Sequence, residues 1–174
     1  MTKGLQDRDP PDECAASKMT EKPAKVFVSY AHQDREHLDR LEEQLVIMKR
    51  DGLIETWSDK ALAGGDPWLA EIRAQLDAAT IIVLLVSPPF LKSDFCYGVE
   101  LRRAMERHKD GTARVVPIIV RPCYWMSAPF SVLQVLPEGA EPISRAGDVD
   151  SAWLEIHVAL RRLVNPDASS PRSA

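Results

Sequence analysis

The longest unbroken apolar stretch runs from Thr80 to Val86 and stops abruptly at Ser87-Pro88-Pro89. It shows no polar alternation, so it predicts a strand covered on both faces, as at the centre of a parallel sheet. A loop is expected after it, and then a helix opening near Ser93-Asp94. At about 100° per residue, Tyr97, Leu101, Ala104, Met105 and His108 share one buried sector of that helix, with Glu100 at the sector's edge. Upstream, Lys25–Tyr30 reads as a first strand ending at the polar segment Ala31-His32-Gln33-Asp34. Leu38, Leu41, Leu45 and Met48 follow at helical spacing as far as about Arg50, with Asp34 and Glu36 suiting the helix N-terminus and Gly52 its end. Leu53–Trp57 reads as a short second strand leaving through Ser58-Asp59.

Between Asp59 and Gly65 lies the only adjacent pair of glycines, Gly64-Gly65. Asp66 and Pro67 suit an N-cap and first helical position, and Trp68, Ile72, Leu76 and Ala79 predict the inward face of a third helix. Arg114–Val120 is strand-like, and Pro117 removes a ladder donor, which points to an edge or bulge. Residues 121–148 are irregular and Pro-rich. A last amphipathic helix is expected over about 150–164, with Trp153, Ile156, Leu160 and Leu163 on one face, closed by Asn165-Pro166. Residues 1–24 and 166–174 lack periodicity and are expected to be disordered tails around one domain, 25–165.

Strands and helices alternate, which predicts an α/β fold with a parallel sheet and helices on both faces. In such sheets ligands bind outside the carboxyl ends of the strands. Ser29-Tyr30, Asp59 with its glycine loop, Ser87 and the Glu100 helix all arrive at that rim. Composition adds mostly exclusions. A net charge of −4 gives no basic face for nucleic acid. Three scattered cysteines, Cys14, Cys96 and Cys123, make neither a disulfide framework nor a zinc site, and His32, His37, His108 and His157 show no ligand spacing. With no apolar run of membrane length and a polar N-terminus, a cytoplasmic location is expected, with no membrane partner.

The candidate chemistry centres on Glu100. An acid at the edge of a buried stripe is partly desolvated, which strengthens its effect on a bound cation. The plainer alternative is a surface acid paired with Arg103 one turn on. Neither G-x-G-x-x-G nor a phosphate-loop motif occurs. Ser29-Tyr30 and Ser87 stand where a receiver domain needs its acids, and Ala31-His32-Gln33-Asp34 does not suit a flavin phosphate loop. Cys96, one turn from Glu100, reads more readily as helix packing than as a nucleophile.

Several stretches resemble bacterial Toll/interleukin-1 receptor (TIR) domains. They are Val26-Phe27-Val28-Ser29-Tyr30, Ile54-Glu55-Thr56-Trp57-Ser58-Asp59, Gly65-Asp66-Pro67-Trp68, and Ser87-Pro88 with Ser93-Asp94-Phe95-Cys96-Tyr97-Gly98-Val99-Glu100-Leu101. Val116-Pro117-Ile118-Ile119, Arg121-Pro122-Cys123-Tyr124-Trp125 and Ala152-Trp153 extend the resemblance across 25–165. It departs from the common bacterial pattern at Ile143-Ser144-Arg145-Ala146, where an aromatic is usual.

The resemblance implies a flavodoxin-like five-stranded sheet in which Pro117 is normal, so its strand need not be an edge. It also implies one of two functions. Some members cleave NAD+ at the nicotinamide–ribose bond with a glutamate matching Glu100, commonly in antiphage defence; others are non-enzymatic scaffolds or host-signalling mimics acting through TIR–TIR contacts. For the enzyme, Glu100 would bind ribose hydroxyls and stabilise the transition state. Tyr30 and Trp68 would line the nicotinamide and adenine ends, Asp59 and Gly65 would shape the covering loop, Ser87 would meet ribose or phosphate, and Cys96 would be a further substrate-binding residue. NAD+ would be the substrate, with no cofactor or metal. Activity would await assembly with other TIR domains, triggered by a separate sensor protein or a nucleotide signal.

Overall fold

A computed structural model describes residues 22–58 and 68–165. Four strands form one parallel sheet: β1 (Ala24–Ser29), β2 (Ile54–Trp57), β3 (Ile81–Val86) and β4 (Arg114–Ile119), in the order β2-β1-β3-β4. Val28 lies opposite Val83, and Val83 opposite Val116. All six residues of β3 are buried, as expected of a strand with neighbours on both sides and helices above and below.

Alternation divides the core between the two faces. Val26, Val28, Val83, Leu85 and Ile118 face one layer. That layer is built from α1 (Arg35–Gln44), α2 (Val46–Arg50) and α6 (Val149–Val164). Phe27, Ile82, Leu84, Val86 and Ile119 face the other. There lie α3 (Trp68–Ala78), α4 (Pro88–Lys92), a π-helical segment from Asp94 to Glu100, and α5 (Leu101–Lys109). The expected first helix is interrupted at Leu45, and Gly52 takes the left-handed φ of 68° just beyond α2. His157 Nδ1 lies 2.7 Å from Gln44 O and ties α6 to the end of α1.

Five strands were expected, and four are found among the described residues. The fifth position is held by a single parallel bridge between Ile118 and Leu136. Leu136 N–H donates to Pro117 O and Ile119 N–H to Leu136 O. Pro117 therefore turns its missing donor away from β3, toward the thinly paired side, where the ladder loses least. The edge character first read from Pro117 survives in this form. Ile143-Ser144-Arg145, where the resemblance departs, forms one 3-10 turn whose Ser144 N–H donates to Val120 O.

The loop expected after Ser87 is instead the short helix α4. Ser87 caps it, accepting from Phe90 N–H at 3.1 Å, and Pro88 supplies the preset φ of a first turn. Ser-Pro-Pro is a helix-start signal that the apolar pattern alone obscured. The expected tails and the loop carrying Asp59, Gly65, Asp66 and Pro67 lie outside the described residues, apart from residues 22–24.

Candidate functional site

Chain order makes β1 the switch point: β2 adds on one side of it and β3 on the other, so the chain leaves neighbouring strand ends in opposite directions. A cavity of about 670 Å³ opens at the carboxyl ends of these two strands. Its walls come from the β1 exit through Gln33, from α4 and Ser93, and from Trp68 at the start of α3. Tyr30, Cys96 and Glu100 also line it.

Glu100 is only 5% exposed, deeper than the edge position its helical projection predicts. Two causes account for this. The segment Asp94–Glu100 is π-helical, with Leu101 N–H bonded to Cys96 O five residues back, so a uniform 100° projection fails there. Moreover, the buried stripe includes two charged residues, Glu100 and Arg107, which a projection of hydrophobicity counts as outsiders. Ser29 points to the same face as Phe27, and its Oγ donates to Glu100 Oε2. Such a charge-assisted bond stabilises a carboxylate that has little water around it. The expected pairing with Arg103 is not seen: Arg103 donates to Asp77 and Glu106.

The other expected site residues divide. Tyr30 is buried and packs edge-on against His32, with ring centres 6.1 Å apart. Cys96 donates its thiol to Tyr30 O at 3.4 Å, and its N–H donates to Ser93 Oγ at 3.1 Å. The first bond ties the π segment to the β1 exit, and the second caps the start of that segment. Trp68 is 44% exposed, so it is a cavity wall and not a core residue, whereas Trp57 stacks on Phe27 at 5.3 Å. Asp59 and Gly65 fall outside the described residues.

Ser87 is fully buried and does not line the cavity. Its Oγ donates to Asp34 while capping α4. The expectation that it meets ribose or phosphate is corrected to that of a support beneath the wall. Asp34, also buried, takes a 3.3 Å ion pair from Arg121. Sequence reasoning missed Asp34 as a clasp because its place beside a helix start offered a sufficient local explanation. It also missed Ser29 as the partner of Glu100, since nothing local links positions 71 residues apart. Among the described residues no cluster of three His, Cys, Asp or Glu is placed to hold a metal, and no helix is long and apolar enough to cross a membrane.

A curated relative, the uncharacterized protein y4lF of Sinorhizobium fredii (strain NBRC 101917 / NGR234), is 44% identical over 149 residues. The match spans 84% of this chain and 46% of that protein, so this chain covers less than half of the relative's length. The crystal structure of the TIR domain of the Toll-related receptor TRR-2 from Hydra magnipapillata superposes with a TM-score of 0.52 at 20% identity. That alignment covers 78% of this chain and 97% of the other, a likeness of fold. Residues 26–144 match the family model described as TIR domain. The chain belongs to the TIR domain family.

Proposed function

We propose that this TIR domain cleaves the nicotinamide–ribose bond of NAD+. The observation that carries the reading is a buried carboxylate, Glu100, held by Ser29 and lining a cavity of ligand size at the switch point of the sheet.

The chemistry suits a single acid. Hydrolysis of an ordinary glycoside uses two carboxyl groups, because the departing alkoxide must be protonated. Nicotinamide in NAD+ is a pyridinium. When its bond to ribose C1′ breaks, the electron pair moves to the ring nitrogen and the base leaves neutral. Positive charge then develops on the ribose across C1′ and the ring oxygen. A carboxylate already oriented and partly shielded from water stabilises that charge more than it stabilises the ground state. Water adding at C1′ and losing a proton gives ADP-ribose; a ring nitrogen of the adenine attacking instead gives a cyclic isomer. Glu100 is the catalytic group, Ser29 its holder, and Tyr30 and Trp68 the walls against which the bases rest.

The same reading has copies of the domain assembling to reach full activity, in a bacterial defence that spends NAD+ to stop an invader. The test is to incubate the full chain, dilute and then concentrated or crowded, with NAD+ and to follow nicotinamide release beside Glu100→Ala and Glu100→Gln. Release that rises with assembly and vanishes in both variants is expected. Activity surviving both substitutions would remove Glu100 from the chemistry, and no release under any condition favours a non-enzymatic scaffold.

A further inference from the structure

The cavity carries an acid and an ammonium on different parts of its wall. Its acid is Glu100, buried in the lining, and its only lysine or arginine among the described residues is Lys92 on the wall. Lys92 is exposed, and no ion pair with another described residue engages it. It closes the last turn of α4, and Pro88 and Pro89, four and three residues earlier, line the same cavity. Spacing of three and four residues places all three on one helical face, while Phe90, fully buried, anchors the opposite side. Ser87 fixes the start of this helix. The lysine is thus carried to the cavity by a short, anchored element.

We propose that Lys92 receives the diphosphate of the substrate and thereby sets its direction in the cavity. The inference rests on the NAD+ reading above, and it names the part of the molecule that reading leaves unassigned. NAD+ carries a cation at the nicotinamide and anions at its middle. A cavity with one carboxylate and one ammonium accepts that order with each charge opposite its complement, and the reversed order sets the diphosphate against Glu100. In a chain of net charge −4, one ammonium on the wall is also the group that offsets repulsion of an incoming anion. Lysine suits the task because it meets phosphate as a compact charge without a fixed fork.

The test compares wild type with Lys92→Gln and Lys92→Arg in the full chain, using NAD+ and nicotinamide riboside, which share the scissile bond but not the diphosphate. The preference for NAD+ over the riboside, as a ratio of kcat/KM, is expected to fall about tenfold in Lys92→Gln and to return in Lys92→Arg, the size of losing one charge-assisted contact. An equal loss on both substrates, or no loss, overturns the proposal. Calorimetric titration with ADP-ribose, which has the diphosphate and lacks nicotinamide, makes the result independent of turnover. Binding that weakens in Lys92→Gln supports the assignment even if no nicotinamide is released, an outcome that would sink only the cleavage reading. Binding equal in the two proteins, or absent from both, overturns the assignment.

Discussion

The helical stretch from Glu100 to Lys109 buries a charge near each end, and the two are treated in opposite ways. Arg107, 8% exposed, donates to Leu76 O and Ala79 O at 2.6 Å each and to Thr112 O at 2.9 Å. Two of these carbonyls belong to the end of α3, where a helix leaves acceptors unfilled and where a positive charge is favoured by the dipole. Arg107 is a structural rivet between α3 and α5. Glu100, seven residues earlier on the same stripe, is held by Ser29 and faces open volume. Burial alone does not distinguish a functional charge from a structural one. What distinguishes them is whether the group's surroundings are filled by the protein or left for a ligand.

If that contrast is right, substitutions at the two ends separate activity from stability. Glu100→Gln keeps an acceptor for Ser29 and removes the charge; nicotinamide release should fall at least about a hundredfold, while the urea midpoint stays near wild type. Arg107→Met should do the reverse. It strands the carbonyls of Leu76, Ala79 and Thr112, at a cost of about 3 kcal/mol in urea unfolding, with cleavage per folded molecule unchanged. A large activity loss in the folded fraction of that variant would break the comparison. Ser29→Ala sharpens it from the other side: about a tenfold slower release and about 1 kcal/mol of lost stability are expected, because one hydroxyl serves both the fold and the acid.

The smallest effect is one of pH on the opposite face of the sheet, where His37 lies 6.3 Å from the Trp153 ring. Burial lowers its pKa below 6.5, against the raising influence of Asp34 and Glu36, and Arg121 lowers it further. With the folded value below the unfolded one, the unfolded chain binds the proton more readily. His37 therefore leaves stability intact above the unfolded pKa and erodes it as pH falls through 6.5 toward the folded value. Thermal midpoints measured across that range should slope less in His37→Gln than in wild type.

Much of the architecture was legible because it depends on local periodicity. The unbroken run before Ser87 could be stable only between two helical layers, and Trp153, Ile156 and Leu160 announced the face of α6 that the structure buries. The rim was legible too, since chain order alone brings Tyr30, Cys96 and Glu100 to the switch point. What escaped were polar residues that burial makes sense of only through distant partners. Ser29, Asp34, Ser87 and Arg107 each satisfy a group far along the chain. A projection that sorts residues by hydrophobicity places such groups at the surface, and it assigned Glu100 an edge for the same reason. Trp68 erred the other way: its indole invited a place inside, yet it stands at the cavity mouth.

The π-helical segment has one more consequence. Such a turn is an α-helix that has accepted a surplus residue. Here the surplus sits between the wall, Pro88 to Ser93, and the acid at the head of α5. It therefore sets which residues of the segment face the β1 exit, where Cys96 bonds Tyr30 O and Glu100 accepts from Ser29. Removing a single codon between Cys96 and Glu100 would change the angle between these two side chains, whichever ladder the shortened segment adopts. Both helices and every side chain named in the site would survive the deletion, but the two contacts to the β1 exit would be put out of register. A domain of this fold can lose its site through a change of length alone.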